Sequence, residues 1–330
     1  MSTDQPAPQL AHQIASQPGE LERILSAPLP QNLVERVGRA RRIWLVGTGT
    51  SQHAAELGAW MLHDAGRAAH AMSSMHFVNW APPINTRDAL ILVSHNAGTE
   101  TAFAGAAWSL AAEAGLQVIS VTRQEGRLPD AIETVAKETS HTYTLSYTAA
   151  LLQLARLAHA LGAPSFPPEV VARVPRAVRE ALDHPGTGSI PQPDRLLVLS
   201  GEGPASVTAR EGALKVREAA RFPAEGYDVE YLLHGHAVPL NASDHLVTLA
   251  PPDTQGLTLG VEHAARTAGV AVTRIEETAE LPPLLAQIPL TVRLQLLALR
   301  YAMERGQNPD IAIEPPWDDE LLWSIGSPDR

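Results

Sequence analysis

The chain has 330 residues, 45% of them apolar and 18% charged, with a formal net charge of −11. Length and apolar content suit about two domains with ample core, and the acidic balance argues against a general nucleic-acid surface, which depends on neutralising phosphate. Cysteine is absent, which removes disulfides, thiol nucleophiles and thiolate metal sites and fits a cytoplasmic location.

Met1 to Pro8 is polar and Pro-rich, without the basic and apolar regions of a signal peptide. No apolar run approaches the ~18 residues of a membrane helix, so no membrane partner is expected. Residues 9–27 read as a helix packed outside the first half. Arg42 to Val46 is a short apolar strand running into Gly47-Thr48-Gly49-Thr50-Ser51 and an Ala-rich helical stretch to Asp64. The third glycine of a dinucleotide loop would fall at Gln52, and no G-x-x-x-x-G-K-[ST] motif occurs, so neither dinucleotide nor P-loop chemistry is provided for. Small and hydroxyl residues before a helix suit a single sugar or phosphate group, and a tight turn without a ligand equally well.

A second strand, Leu90 to Ser94, leads into Ser94-His95-Asn96-Ala97-Gly98-Thr99-Glu100-Thr101 and a helix from Thr101 to Ala114. Hydroxyls, an amide and free N–H groups at a helix start can surround phosphate oxygens, although helix capping explains part of this composition. A third strand spans Leu116 to Val121. The Pro/Gly-rich run His184 to Pro193 reads as a linker. Beyond it the pattern recurs: Arg195 to Ser200 runs into Gly201-Glu202-Gly203, Leu246 to Ala250 repeats the second strand, and Val270 to Ile275 the third, at offsets of 154, 156 and 154 residues. Short, continuously apolar strands alternating with helices predict parallel sheets covered on both faces, with ligands at the carboxyl ends of strands. The later loop Pro251 to Gly256 is poor in hydroxyls, so only the first half is equipped for phosphate.

The second half carries Arg210-Glu211-Gly212-Ala213-Leu214-Lys215-Val216-Arg217-Glu218, then His234-Gly235-His236. On a helix Glu211, Lys215 and Glu218 share one face. Such a trio serves either as a solvated surface pair with an extra acid or as a carboxylate tuned for proton transfer. Only two lysines, Lys137 and Lys215, stand against 23 arginines, and one falls in this motif. His234 and His236 with nearby carboxylates have no close third histidine, so an acid/base imidazole is the more economical reading than zinc. No metal or other cofactor is expected.

Glu211-Gly212-Ala213-Leu214-Lys215-x-x-Glu218, followed by Ala224-Glu225 and His234-Gly235, resembles the sugar-isomerase (SIS) domain family. Ile43 to Ser51, Ser94 to Thr101, Gln13 to Pro18 and Pro289 to Asp310 resemble further segments of that family, so the likeness covers nearly the whole chain. It implies an α/β fold of two tandem SIS domains, each a doubly wound, mostly parallel sheet flanked by helices. The boundaries would be a helical segment 1–29, domains 30–183 and 195–313, a linker 184–194 and a tail 314–330. By position, Glu218 would move a proton between C1 and C2 of a hexose or aminohexose 6-phosphate through a cis-enediol, with Lys215 beside it. His234 would assist ring opening, reaching the site of a neighbouring subunit in a homodimer. Gly49, Ser51, Ser94, Asn96, Thr99, Thr101 and Glu211 would contact phosphate and sugar.

Three departures from the family pattern stand out. Asn96 occupies the place of a second serine, His236 that of a proline, and no lysine follows Lys215. With only about 30 residues ahead of the first strand and no cysteine, no glutaminase domain is expected. The resulting expectation is a phosphosugar isomerase-type enzyme, with amine release as an added capacity. A non-catalytic phosphosugar sensor and a deglycase of a phosphorylated sugar–amine adduct are the alternatives.

Overall fold

The computed structural model describes residues 7–80, 83–96, 102–252, 254, 256–277 and 280–325. Thr99 and Thr101 therefore lie outside the described residues. The chain forms two compact units that interleave in sequence, one comprising 19–138, 146–173 and 313–330, the other 1–18, 139–145 and 174–312.

The elements follow in chain order. Helices α1 (Gln9–Ser26) and α2 (Gln31–Gly38) precede β1 (Arg42–Gly47), α3 (Thr50–Asp64), β2 (Ala69–Ser73), α4 (Ser74–Trp80), β3 (Asp88–Val93), α5 (Ala102–Glu113), β4 (Gln117–Thr122) and β5 (Ala131–Glu133). Then come α6 (Leu145–Ala160), α7 (Pro168–Val171) and α8 (Val174–Asp183). The later strands are β6 (Leu196–Gly201), β7 (Ala224–Asp228), β8 (Asp244–Ala250) and β9 (Ala271–Glu276). Around them run α9 (Pro204–Ala220), α10 (Val229–Tyr231), α11 (Gly256–Thr267), α12 (Pro283–Glu304) and α13 (Glu320–Ser324).

Both sheets are parallel throughout. The first has the order β2-β1-β3-β4-β5 and the second β7-β6-β8-β9. Their central strands, Asp88–Val93 and Asp244–Ala250, are buried at every position, as a sheet covered on both faces requires. On one face of the first sheet Trp44, Val46, Leu90 and Leu92 pack against Phe77 of α4 and Ala104, Ala107 and Ala111 of α5. The second sheet buries Val198 and Leu246 with Val229, Leu232 and Val261.

The six strands expected from apolar runs are β1, β3, β4, β6, β8 and β9. The edge strands β2, β5 and β7 are not among them. Ala-His-Ala-Met-Ser and Ala-Glu-Gly-Tyr-Asp have no continuous apolar run, because a strand at a sheet edge is only partly covered. Helix α1 also differs from expectation. Its first turn is tied by Asp310, whose carboxylate accepts the N–H groups of Gln9 at 2.9 Å and Leu10 at 2.8 Å, and Gln17 donates to Gln295 at 2.7 Å. The start of the helix thus packs with the second-sheet unit rather than beside the first half.

The repeat extends to side chains. Arg42 grips Asp88 with two hydrogen bonds, at 3.0 and 2.7 Å, and donates to the Pro83 carbonyl at 2.7 Å. Arg195 makes the same fork on Asp244 and donates to the Pro239 carbonyl at 2.7 Å. Asn85 and Asn241 each give a backbone N–H to the same aspartate. Burial alone would push Asp88 and Asp244 up, but the arginine and amide bonds overcome it and hold both carboxyls below the usual range.

Candidate active site

Helix α9 carries the acid–base trio, and the fold clamps it on two sides. A Cβ on Gly212 would lie 2.4 Å from Leu294 of α12, and one on Gly226 of β7 would lie 2.5 Å from the backbone of Ala209. Both glycines therefore permit helix and strand to approach closely. The clamp sinks Lys215 completely: its ammonium lies 2.5 Å from Glu218 and 3.5 Å from Glu211. This excludes the solvated surface pair that spacing alone allowed. Lys215 and Glu211 have 1% and 0% side-chain exposure, whereas Glu218 keeps 23%. Glu218 is thus the member of the trio that a ligand can reach.

After β7 the chain makes a tight excursion. Asp228 caps α10, accepting from the N–H of Glu230 at 2.8 Å. Residues Leu232–His236 form a wide, π-type turn, closed by a hydrogen bond from Ala237 N–H to the Leu232 carbonyl at 2.9 Å. Gly235 supplies a φ of +114° that other residues rarely adopt. His234 is exposed, and its Nδ1 lies 2.9 Å from the Glu230 carbonyl. A carbonyl can only accept, so a ring proton sits on Nδ1, which in the neutral ring leaves Nε2 as the acceptor.

The expected phosphate groups belong to the first-sheet unit, at the carboxyl ends of the adjacent strands β1 and β3. In the Gly47-Thr48-Gly49 loop the two glycines serve different purposes. A Cβ on Gly47 would lie 2.6 Å from the Ser51 backbone, while Gly49 is open on all sides but has φ +57°. Gly201 and Gly203 repeat the pattern, with a Cβ on Gly201 meeting Ala205 at 2.6 Å and Gly203 at φ +53°. The glycines are thus accounted for by the strand-to-helix turn itself. Ser51 lies in the first turn of α3 and is partly exposed. Ser94 is partly exposed and donates its backbone N–H to Val121 at 3.0 Å, and Asn96 is buried.

Sequence reasoning passed over His95 between them. The backbone N–H of Glu138 donates to its Nε2 at 3.0 Å. Burial, with Arg123 and Lys137 adding repulsion, pushes His95 down to about 4. This imidazole is neutral at physiological pH, and it stiffens the loop that presents Ser94 and Asn96. A histidine inside a polar loop gives no sequence signal of burial.

Among the described residues no group of three or more His, Asp or Glu is placed to hold a metal ion, and no helix is long and apolar enough to cross a membrane. Residues 38–160 match the family model of the SIS domain. That segment is similar to the SIS domain. It contains Gly49, Ser51, Ser94 and Asn96, whereas Glu211, Lys215, Glu218 and His234 lie beyond the matched SIS segment.

The likeness to characterised proteins runs further than that segment. The glutamine–fructose-6-phosphate aminotransferase [isomerizing] of Pyrococcus horikoshii is 29% identical over 304 residues, spanning 82% of this chain and 50% of that protein. The chain spans about half the length of the curated relatives it matches over most of its length. Among solved structures, the C-terminal domain of glucosamine-fructose-6-phosphate aminotransferase from Francisella tularensis superposes with a TM-score of 0.81. It covers 94% of this chain and all of that domain at 17% identity. A glucosamine-6-phosphate deaminase from Thermotoga maritima gives 0.76, with 92% and 96% coverage at 19% identity. These two likenesses establish the fold.

Proposed function

We propose that this chain is a phosphosugar isomerase-type enzyme acting on a hexose or aminohexose 6-phosphate, and that Glu218 is its base. The observation that carries the reading is the buried trio, in which a sunk ammonium holds one carboxylate at the edge of solvent. A buried ion cluster is weak support for stability, since apolar side chains of similar volume serve as well or better. Its placement on the SIS-like motif, and the curated relative named for fructose 6-phosphate and isomerisation, give it a chemical purpose instead.

The reaction follows from the groups present. His234 Nε2 takes the proton of the anomeric hydroxyl and passes it to the ring oxygen as the sugar opens. The Glu218 carboxylate then takes the proton from the carbon beside the carbonyl, the carbonyl oxygen gains a proton, and a cis-enediol forms. Return of the proton from Glu218 to the neighbouring carbon, as the other enediol hydroxyl gives up its proton and becomes the new carbonyl, completes the aldose–ketose exchange. Lys215 holds Glu218 in place and favours its charged form, with Glu211 balancing the ammonium from below. Ser51, Ser94, Asn96, Thr99 and Thr101, with the Gly49 turn, are the proposed partners of the phosphate and sugar hydroxyls.

The same reading makes 30–183 and 195–313 two tandem SIS copies, with 1–29 a leading helical segment, 184–194 a linker and 314–330 a tail. The shared order of the first four strands of each sheet and the repeated arginine–aspartate fork support it. The working state in this reading is a cytoplasmic homodimer in which His234 serves the neighbouring subunit's site.

Solvent-deuterium exchange tests the proposal. Incubated with fructose 6-phosphate or glucosamine 6-phosphate in D2O, the wild-type protein should place deuterium at the sugar carbon. Glu218→Gln should lower the rate by at least ~100-fold while binding remains measurable by calorimetry. Binding without exchange in the wild type would point instead to a sensor, and release of a free amine from a sugar–amine 6-phosphate would point to a deglycase.

A further inference from the structure

We propose that His236 is a positioning residue, one that fixes the turn presenting His234; this rests on the reading of His234 as the ring-opening group. The turn has an evident weakness. His234 is exposed, its ring Nδ1 is held by a carbonyl four residues earlier, and Gly235 at φ +114° follows it. Upstream, Leu232 is fully buried and anchors the segment in the core. Downstream, Ala237 and Leu240 are only partly buried against that same core and Val238 is 83% exposed, so the hold on this side is weaker.

His236 adds a stronger tie on that side. Its ring stacks on Tyr227 at 4.4 Å between centroids, with 30° between planes, and lies 4.7 Å from Tyr231. The tyrosines themselves are 6.4 Å apart, so His236 sits at the corner of a three-ring cluster. Tyr227 belongs to β7 and is held in turn, donating its hydroxyl to Glu225 at 2.5 Å. Burial and that carboxylate push the phenol up to about 12, so the donated proton stays in place. The cluster therefore ties the residue after Gly235 to the sheet, while Leu232 ties the residues before it. With both ends fixed, the bond from His234 Nδ1 to Glu230 sets the direction of Nε2.

The test compares His236→Ala and His236→Gln, which remove the ring, with His236→Phe, which keeps it. Loss of the ring should lower kcat for hexose 6-phosphate by roughly 10–100-fold, the size expected when a reacting group is misplaced, with KM within about threefold. His236→Phe should restore most of the rate. In a His234→Ala background the loss of the His236 ring should cost nothing further, because the two residues act as one unit. Additive losses, or a His236→Phe protein as slow as His236→Ala, would overturn the proposal.

A second readout does not need turnover. Imidazole 1H–15N correlations should show His234 as one tautomer, protonated at Nδ1, in the wild type and in His236→Phe, but as a mixture in His236→Gln. An unchanged tautomer in His236→Gln overturns the positioning role. If the wild type itself lacks exchange activity, the functional reading fails and this tautomer measurement alone decides the question of position.

Discussion

At the scale of single residues, the trio on α9 is defined by unequal burial. An ammonium removed from water is tolerable only when carboxylates take the place of solvent. Lys215 has two, and Glu211 below it is as deeply buried as the ammonium. Replacing Lys215 by Met leaves the volume nearly unchanged but strands Glu211 without its counter-ion. The expected cost is about 3–5 kcal/mol, the range for a buried pair that loses one partner. Urea unfolding measures it, and the double variant Glu211→Gln, Lys215→Met should recover a large part of the loss. Equal stabilities for the single and double variants would mean that charge burial is not the cause. The spacing of Glu211, Lys215 and Glu218 was legible in sequence. Their burial was not, since it depends on Gly212 and Gly226 admitting α12 and β7 to the helix backbone.

At the scale of elements, the strands inside each sheet are legible as continuous apolar runs, whereas the edge strands β2, β5 and β7 are not. Ala-Leu-Ile-Leu-Val and Leu-Leu-Val-Leu are continuous apolar runs because α-helices cover each face, and they set the repeat of 154 to 156 residues. Ala-Glu-Gly-Tyr-Asp in β7 mixes charge and small residues, so a strand that anchors the His236 ring was hidden as an acidic stretch. The turns after β1 and β6 were legible as Gly-x-Gly, but their glycines resemble ligand-loop glycines until packing is known. That distinction can be measured. Gly47→Ala forces a Cβ to within 2.6 Å of the Ser51 backbone, whereas Gly49→Ala meets no neighbour and bears only the strain of its positive φ. Overpacking against backbone should make Gly47→Ala the costlier, at about 1–3 kcal/mol. Gly49→Ala should stay near 1–2 kcal/mol, the strain of a side chain held at φ +57° and ψ −127°. Thermal midpoints in the opposite order would show that the close approach of α3 is not what this glycine serves.

At the scale of the whole molecule, acid stability is divided between two kinds of buried group with separate pH windows. His95 is pushed down to about 4 and His245, beside Thr273 at 2.9 Å, is also lowered by burial. The unfolded chain takes up these protons near pH 6.5, while the folded chain resists them. Their contribution is therefore complete above pH 6.5 and is lost as the pH falls from 6.5 toward 4. For His95 that difference is on the order of 3 kcal/mol. Asp88, Asp244 and Glu262 act over a lower window: burial opposes their charge, but their arginine partners hold all three below the usual carboxylate range. Their contribution is intact above the ordinary carboxylate pKa and is lost only as the pH falls below it. Stability between pH 6.5 and 4.5 should therefore decline through the histidines before the carboxylates take part. His95→Gln retains an acceptor for the Glu138 N–H without a titrating ring. Urea midpoints of that variant should fall less steeply over pH 6.5 to 4.5 than those of the wild type, with both curves steepening together below pH 4. If the two proteins lose stability in parallel from pH 6.5 downward, His95 is not a neutral buried group, and the stiff loop ascribed to it around Ser94 and Asn96 goes with it.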